Sequence, residues 1–191
     1  MIALVAIWAF AEAVLFFIVA DAPIMALGIR SGVRKAMLAA LVAAVSAALG
    51  GAALWLWAST HPKDVIELML VLPGIDAALV AQTHDDWAQG GMIAMTIGSF
   101  SGVPYKLYAL AAGSMGAGSM GAGSMGAGTG ALALFALASI IARLPRFVLV
   151  ALVAGWAGPR MVQRFGKRPV WTAFFMGWAA FYALYWSAMG F

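Results

Sequence analysis

Apolar runs divide the chain into segments long enough to cross a membrane. Residues 36–58 and 169–191 are uncharged, and residues 131–157 form a third run that contains two arginines. At about 1.5 Å of rise per residue, about 20 helical residues cover the roughly 30 Å hydrocarbon core of a bilayer. The pattern therefore predicts about three full transmembrane helices.

Two further apolar segments are interrupted by residues that break helices. Asp21 and Pro23 interrupt residues 2–29, and Gly102 and Pro104 lie in mid-hydrophobic sequence after residue 91. Proline lacks an amide hydrogen and disfavours helix in the residue before it, so we expect a bend near residues 20–24 and another near 98–104. We interpret both segments as re-entrant helical hairpins. Irregular backbone at membrane depth needs protein or a wet cavity around it, which predicts a buried polar chamber.

The basic residues predict an orientation. Seven of the eleven lysines and arginines fall in two clusters, at residues 30–35 and 160–168, whereas residues 60–90 hold five of the seven acids. The positive-inside rule places both clusters in the cytoplasm. The two hairpins then enter from opposite sides, each followed by a span. This is the arrangement of an inverted repeat, whose site is expected where the broken elements meet. The basic residues that we expect in the cytoplasm are Arg30, Arg34, Lys35, Arg160, Arg164, Lys167 and Arg168.

Composition agrees with a single all-α polytopic membrane domain. The chain of 191 residues is 65% hydrophobic and only 9% charged, with a mean hydropathy of +0.99, whereas soluble domains carry about 25% charged residues. We divide it into a first hairpin plus span (1–59), interfacial helices outside (60–90), a second hairpin plus span (91–157), and a basic loop with the last span (158–191).

Several classes of partner and site are not expected. The chain has no cysteine, which excludes disulfides and thiolate metal sites. The formal charge of +4 could suggest nucleic acid, but the basic residues lie at the ends of apolar runs or inside them. His61 and His84 lack metal-ligand spacing. We therefore expect no metal, no cofactor and no nucleic acid.

Residues 113–130 contain the unit GSMGA three times. No repeat architecture has so short a period with this composition, although small residues do permit close helix contacts in membranes. We interpret the segment as a tandem expansion, either a flexible loop or a lengthened helix end.

Five charged residues lie within apolar sequence: Glu12, Asp21, Lys106, Arg143 and Arg146. A charge at the bilayer centre costs about 3 kcal/mol on insertion scales, so each is a candidate site residue. The acids lie in the first half and the bases in the second. One interpretation is a buried ion-pair network that only holds the bundle together; a working site would include such pairs as well.

These residues, in this order, resemble the DedA family, also called the VTT or SNARE-associated Golgi protein family, in its short bacterial members. Glu12 and Asp21 match the family's two acids, nine residues apart, in the first re-entrant loop. Gly98 and Phe100 fit its second loop, as do Ala112 and Gly113. Departures from the family's pattern are Ser99 and Gly102 in place of an arginine and a proline, Lys106 one place late, and Val19 and Ala20 in place of tip prolines.

The resemblance implies a flippase or scramblase of phosphate-bearing lipids such as undecaprenyl phosphate or phospholipid. Lys106, Arg143 and Arg146 would bind the lipid phosphate, which arginine can grip with two parallel hydrogen bonds. Glu12 and Asp21 would exchange protons as the phosphate takes over the cations, so that protons are the second partner.

Two other classes stay open. A structural or partner-binding membrane protein would use the buried charges as ion pairs only, and a homo-oligomer is compatible with either role. An enzyme is a weaker alternative, because Phe100 stands where a Gly-x-Ser-x-Gly motif needs serine and no HExxH zinc motif occurs. We therefore expect no catalytic residue.

Overall fold

The computed structural model describes residues 1–15, 18–115 and 129–188. Within these ranges the protein is helical and contains no strand, which confirms the predicted all-α class. The described helices are α1 (Ile2–Val14), α2 (Asp21–Ser31), α3 (Val33–Thr60), α4 (Pro62–Val71), α5 (Ala77–Ser101), α6 (Tyr105–Ser114), α7 (Thr129–Phe165) and α8 (Lys167–Ala188).

Helices α3 and α7 form the centre of the fold. They pack most extensively on each other, α1 and α6 pack on α3, and α2 packs on α7. The buried face of α3 is built from small residues, which allow helix backbones to approach closely. Its buried alanines are Ala36, Ala39, Ala40, Ala43, Ala44, Ala47, Ala48 and Ala58.

Among the described residues, two helices are long and apolar enough to cross a membrane, at residues 33–60 and 130–165. They contain the predicted runs 36–58 and 131–157. The third predicted span, 169–191, is helical in α8 as far as residue 188, but α8 is not one of these two helices, since its tryptophans and tyrosines make it less apolar. Length and composition thus support two of the three predicted spans, and the third stays a prediction.

The first predicted break lies slightly earlier than Pro23 suggests. Helix α1 ends at Val14, and α2 begins at Asp21, with Pro23 inside its first turn. Proline is tolerated there because the first amides of a helix have no partner within it. The irregular backbone therefore precedes Asp21, and the acid stands at the start of a helix.

The second predicted break is confirmed in place. Helix α5 ends at Ser101, and Gly102 has the left-handed φ of 93° that favours glycine. Pro104 is extended and precedes α6. A further kink within α5, at Gly91 with φ of 48°, separates its first part from the part that leads to this break.

The segment 60–90 forms two helices as expected, α4 and the first part of α5, and their place on the outer side of the membrane stays a prediction. Asp76 caps α5, its carboxylate accepting a 2.7 Å hydrogen bond from the amide of Leu79. Most of the GSMGA segment, residues 116–128, lies outside the described residues, so its interpretation stays a prediction.

Candidate functional site

A cavity of about 210 Å³ lies where the two broken segments meet α7 and α8. We call it the central cavity. Four of its lining residues are charged: Glu12, Lys106, Arg143 and Arg146. The rest of its wall comes from the α5–α6 connection, the turn after α4, and three aromatic residues of α8, namely Phe181, Tyr182 and Tyr185.

Arg143 and Glu12 form an ion pair inside the protein. The Nη2 of Arg143 donates to Oε2 of Glu12 at 2.5 Å, and both side chains are about nine-tenths buried. The guanidinium also lies 4.5 Å from the ring centre of Tyr105 and 5.0 Å from that of Phe147. Aromatic faces attract a cation, so two rings and one carboxylate compensate for the water that Arg143 lacks.

Arg146 and Asp21 form a second pair, one helical turn along α7. Arg146 donates to Oδ2 of Asp21 through Nη2 and, at 3.0 Å, through Nε. Its Nη1 donates to the backbone carbonyl of Ser99 at 2.6 Å. One guanidinium thus joins the start of α2 to the end of α5, across both broken segments.

Lys106 is the third cation of the site. It stands in the first turn of α6, is only 4% exposed, and lines the central cavity. The five candidate residues are therefore brought together, with three formal positive charges and two formal negative charges. Their cluster carries one formal positive charge in excess.

Two buried polar atoms have no hydrogen-bond partner among the described residues. They are Nη1 of Arg143 and Oδ1 of Asp21. A buried donor or acceptor left unsatisfied costs about 1–3 kcal/mol, so such atoms mark places where a ligand or water is accommodated. Nη1 belongs to Arg143, which lines the central cavity. A guanidinium nitrogen that lacks a partner is suited to bind an anion.

Tyr105 and Ser139 form a buried support beneath Arg143. The Tyr105 hydroxyl donates to Oγ of Ser139 at 2.7 Å, and Ser139 donates to the carbonyl of Phe135 at 2.7 Å. The Tyr105 ring also stacks with Phe135, with ring centres 6.3 Å apart. This network fixes the tyrosine face on which the guanidinium rests. The sequence offered no signal for it beyond a serine inside an apolar run.

The α8 side of the cavity is closed by two tyrosines. The Tyr182 hydroxyl accepts a 3.0 Å hydrogen bond from the amide of Val19, and the Tyr185 hydroxyl donates to the carbonyl of Pro73 at 3.5 Å. These two tyrosines were not identified from the sequence as residues of the site. Their spacing, three residues apart on one helix face, was the available signal that they form a wall.

The described residues contain no group of three or more histidines, cysteines, aspartates or glutamates that could hold a metal ion. His61 and His84 do not line the central cavity. The polar chemistry of the site is thus that of arginine, lysine, carboxylate and tyrosine side chains.

Comparison with known proteins adds one similarity. The chain is 29% identical over 91 residues to an uncharacterized protein of Haemophilus influenzae. The match covers 48% of this chain and 41% of that protein, so it spans less than half of either. No family model matches the chain. No solved structure matches it.

Proposed function

We propose that the protein lies in the cell inner membrane and moves phosphate-bearing lipids across it, as a flippase or scramblase, with proton exchange at Glu12 and Asp21. The resemblance to the DedA family, which rests on the sequence motifs alone, supports a polyprenyl phosphate such as undecaprenyl phosphate, or a phospholipid, as the substrate. The finer topology belongs to the same proposal: two oppositely oriented re-entrant hairpins, α1–α2 and α5–α6, with the basic loops at residues 30–35 and 160–168 in the cytoplasm.

The surface of the helices supports a membrane location. Large apolar side chains point outward along α3 and α7, and soluble monomers rarely expose large contiguous apolar patches. They include Leu38, Leu41, Leu49, Leu137, Ile141, Leu149, Leu152 and Val153. Two helices of sufficient length carry these residues, so a hydrocarbon solvent matches the surface better than water.

The observation that carries the proposal is the buried charge cluster beside the central cavity. Its one formal positive charge in excess would be neutralised by a phosphate that carries one negative charge. Arg143 lines the cavity, its buried Nη1 has no partner among the described residues, and a charge-assisted hydrogen bond to phosphate is about twice as strong as a neutral one. Lys106 adds a point charge at the same cavity.

The two ion pairs support coupling to protons. A phosphate that binds Arg143 or Arg146 competes with the carboxylate that now holds that arginine. A carboxylate that loses its cationic partner in a low-dielectric site takes up a proton, because burial disfavours its charged form. Each lipid phosphate that enters would thus load a proton on Glu12 or Asp21, and its departure would release the proton.

The test is lipid movement in proteoliposomes. We expect purified protein to move a fluorescent polyprenyl phosphate or phospholipid between leaflets, faster under an imposed pH gradient, and not to move a fluorescent glycosyl diacylglycerol, which lacks phosphate. Glu12→Gln should abolish the effect of the gradient. The matched control is Glu67→Gln, which removes an exposed acid on α4 and should transport normally.

The proposal fails if folded wild-type protein moves no phosphate lipid, or if Glu12→Gln and Asp21→Asn both retain the full response to the gradient. Circular dichroism and thermal unfolding in detergent establish that each variant is folded. Arg143→Lys, which keeps the charge but not the fork, separates a need for positive charge from a need for guanidinium geometry.

A second candidate function is supported by one observation: both carboxylates are already paired with arginines. A structural or partner-binding membrane protein needs no more than this. Under that alternative the variants would lower the unfolding temperature, and neither they nor the wild type would move lipid.

A further inference from the structure

A second concave surface, of about 380 Å³, lies between α2 and α8. We call it the α2–α8 groove. Apart from Asp21 and Arg146, its lining residues are apolar: Val19, Met25, Ala173, Phe174, Gly177, Trp178 and Phe181. Charged chemistry is thus confined to the one ion pair, and the remaining wall is hydrocarbon and aromatic.

The groove and the central cavity share a boundary. Val19, Arg146 and Phe181 line both. Arg146 therefore lies where the apolar α2–α8 groove meets the charged central cavity. Asp21, whose buried Oδ1 has no partner among the described residues, lines the groove beside Arg146.

The α8 wall of the groove leaves room for an occupant. A Cβ added at Gly177 would meet nothing within 4 Å, and Ala173 is also small and exposed. Among the described helices α8 packs mainly on α7, and its large side chains toward the groove are the aromatic residues Phe174, Trp178 and Phe181. The space between these side chains is open to the surroundings of the protein.

We propose that the α2–α8 groove binds the hydrocarbon chain of a membrane lipid whose phosphate reaches Arg146. Charge complementarity selects this occupant: an apolar chain fits the groove wall, and an anionic head fits the central cavity beyond Arg146, whose lining holds three cations and one carboxylate. A protein helix or a second copy of the chain would fill the apolar part of the groove, but neither would account for the connection between the groove and the charged central cavity. The inference rests on the proposed function and deepens it, because it defines the route by which a lipid enters from the side.

The test is photolabelling with a hexadecyl phosphate that carries a diazirine at mid-chain, in detergent micelles, followed by mass spectrometry of the labelled peptides. The companion probe is the same diazirine chain ending in a hydroxyl. We expect the phosphate probe to label residues 19–25 and 173–181 about tenfold more than the alcohol does, as one charge-assisted hydrogen bond implies.

Two substitutions on α8 provide the matched comparison. Gly177→Phe fills the groove and should lower labelling at residues 19–25 at least about fivefold, because the added ring occupies the space of the hydrocarbon chain. Ala179→Phe adds the same side chain at an exposed position that does not line the groove, and should label as the wild type does. Equal unfolding temperatures of the two variants show that the fold is retained.

The outcomes separate this inference from the proposed function. If wild-type protein moves lipid in proteoliposomes but the phosphate and alcohol probes label all outward-facing helices alike, or if Gly177→Phe labels like Ala179→Phe, the groove is not the chain site. If labelling is confined to the groove and blocked by Gly177→Phe while no lipid moves, the groove is a lipid-binding site and the proposed transport function is wrong.

Discussion

Arg143 and Glu12 lie 131 positions apart in the chain and meet at 2.5 Å in the interior. The pair joins α7 to α1, two helices from the opposite halves of the molecule. Both side chains are about nine-tenths buried, so the pair has little contact with water outside the protein. The contact therefore joins the two helices, and under the proposed function an incoming phosphate would have to displace Glu12 from Arg143.

Removing one member of this pair should cost far more than removing both. An uncompensated buried charge costs about 3–5 kcal/mol, whereas replacing both partners by apolar residues is often neutral. We expect Glu12→Leu and Arg143→Met each to lower the free energy of unfolding by that amount, and the double variant to recover most of the loss.

The measurement is a double-mutant cycle on unfolding in mixed micelles. Glu67→Leu, at an exposed acid on α4, serves as the control and should stay within about 0.5 kcal/mol of the wild type. Strictly additive losses at Glu12 and Arg143 would show that the pair contributes no coupling.

The sequence predicts which residues form the site better than it predicts how they pair. Charges within apolar runs are rare and costly, which singles out Glu12, Asp21, Lys106, Arg143 and Arg146 without structural knowledge. The assignment of Arg143 to Glu12 and of Arg146 to Asp21 depends on how α1 and α2 pack beside α7, which no local pattern encodes. The hydrogen bond from Arg146 to the Ser99 carbonyl is likewise not predictable from the sequence, because every residue has a backbone carbonyl.

The positions of the helix breaks are likewise predicted by the sequence only in part. The break at Gly102 and Pro104 is encoded locally by a glycine that tolerates positive φ and a proline that ends helix, and it is found in place. Pro23 misleads by a few residues because a proline in the first turn of a helix is favourable. The kink at Gly91 has only a Gly-Gly pair as its signal, and the same pair at Gly50 and Gly51 lies inside a continuous helix.

Arg146→Lys should weaken the link between the broken segments. Arg146 makes three hydrogen bonds in a fixed fork, two to Asp21 and one to the Ser99 carbonyl, and the single ammonium of lysine cannot reproduce that geometry. We expect a loss of about 1.5–3 kcal/mol of stability, the range for a hydrogen bond to a charged group, together with slower lipid movement.

Unfolding in detergent and the proteoliposome assay measure the two effects. Arg160→Lys is the matched control, since Arg160 is exposed near the end of the same helix and donates to the Trp156 carbonyl of its own helix. A stability of Arg146→Lys equal to that of Arg160→Lys would mean that the fork is not needed.

Gly51→Ala should disturb the support beneath Arg143. A Cβ at Gly51 of α3 would overlap the ring and hydroxyl of Tyr105, the tyrosine whose hydroxyl donates to Ser139. Overpacking of this kind costs about 1–3 kcal/mol. Gly130→Ala, where a Cβ meets nothing within 4 Å, should instead be neutral or gain up to about 1 kcal/mol, since alanine favours helix. Thermal unfolding of the two variants measures the difference, and equal unfolding temperatures would contradict the steric argument.

Tyr182→Phe should open the central cavity toward α8. The hydroxyl of Tyr182 holds the amide of Val19 at 3.0 Å, whereas the hydroxyl of Tyr185 reaches the Pro73 carbonyl at 3.5 Å, close to the limit for a hydrogen bond. A hydrogen bond contributes about 0.5–1.5 kcal/mol, so its loss should raise the population of an opened α8 by about two- to tenfold.

The chain has no native cysteine, which allows this opening to be measured without background. Val103 lines the central cavity, and a charged maleimide should label a Val103→Cys protein two- to tenfold faster, by about the same estimate, when Tyr182→Phe is added. Adding Tyr185→Phe instead should have a smaller effect, because that hydrogen bond is already long. Labelling rates that are equal in all three proteins would show that α8 is held by apolar packing alone, and that lateral entry of a lipid does not depend on Tyr182.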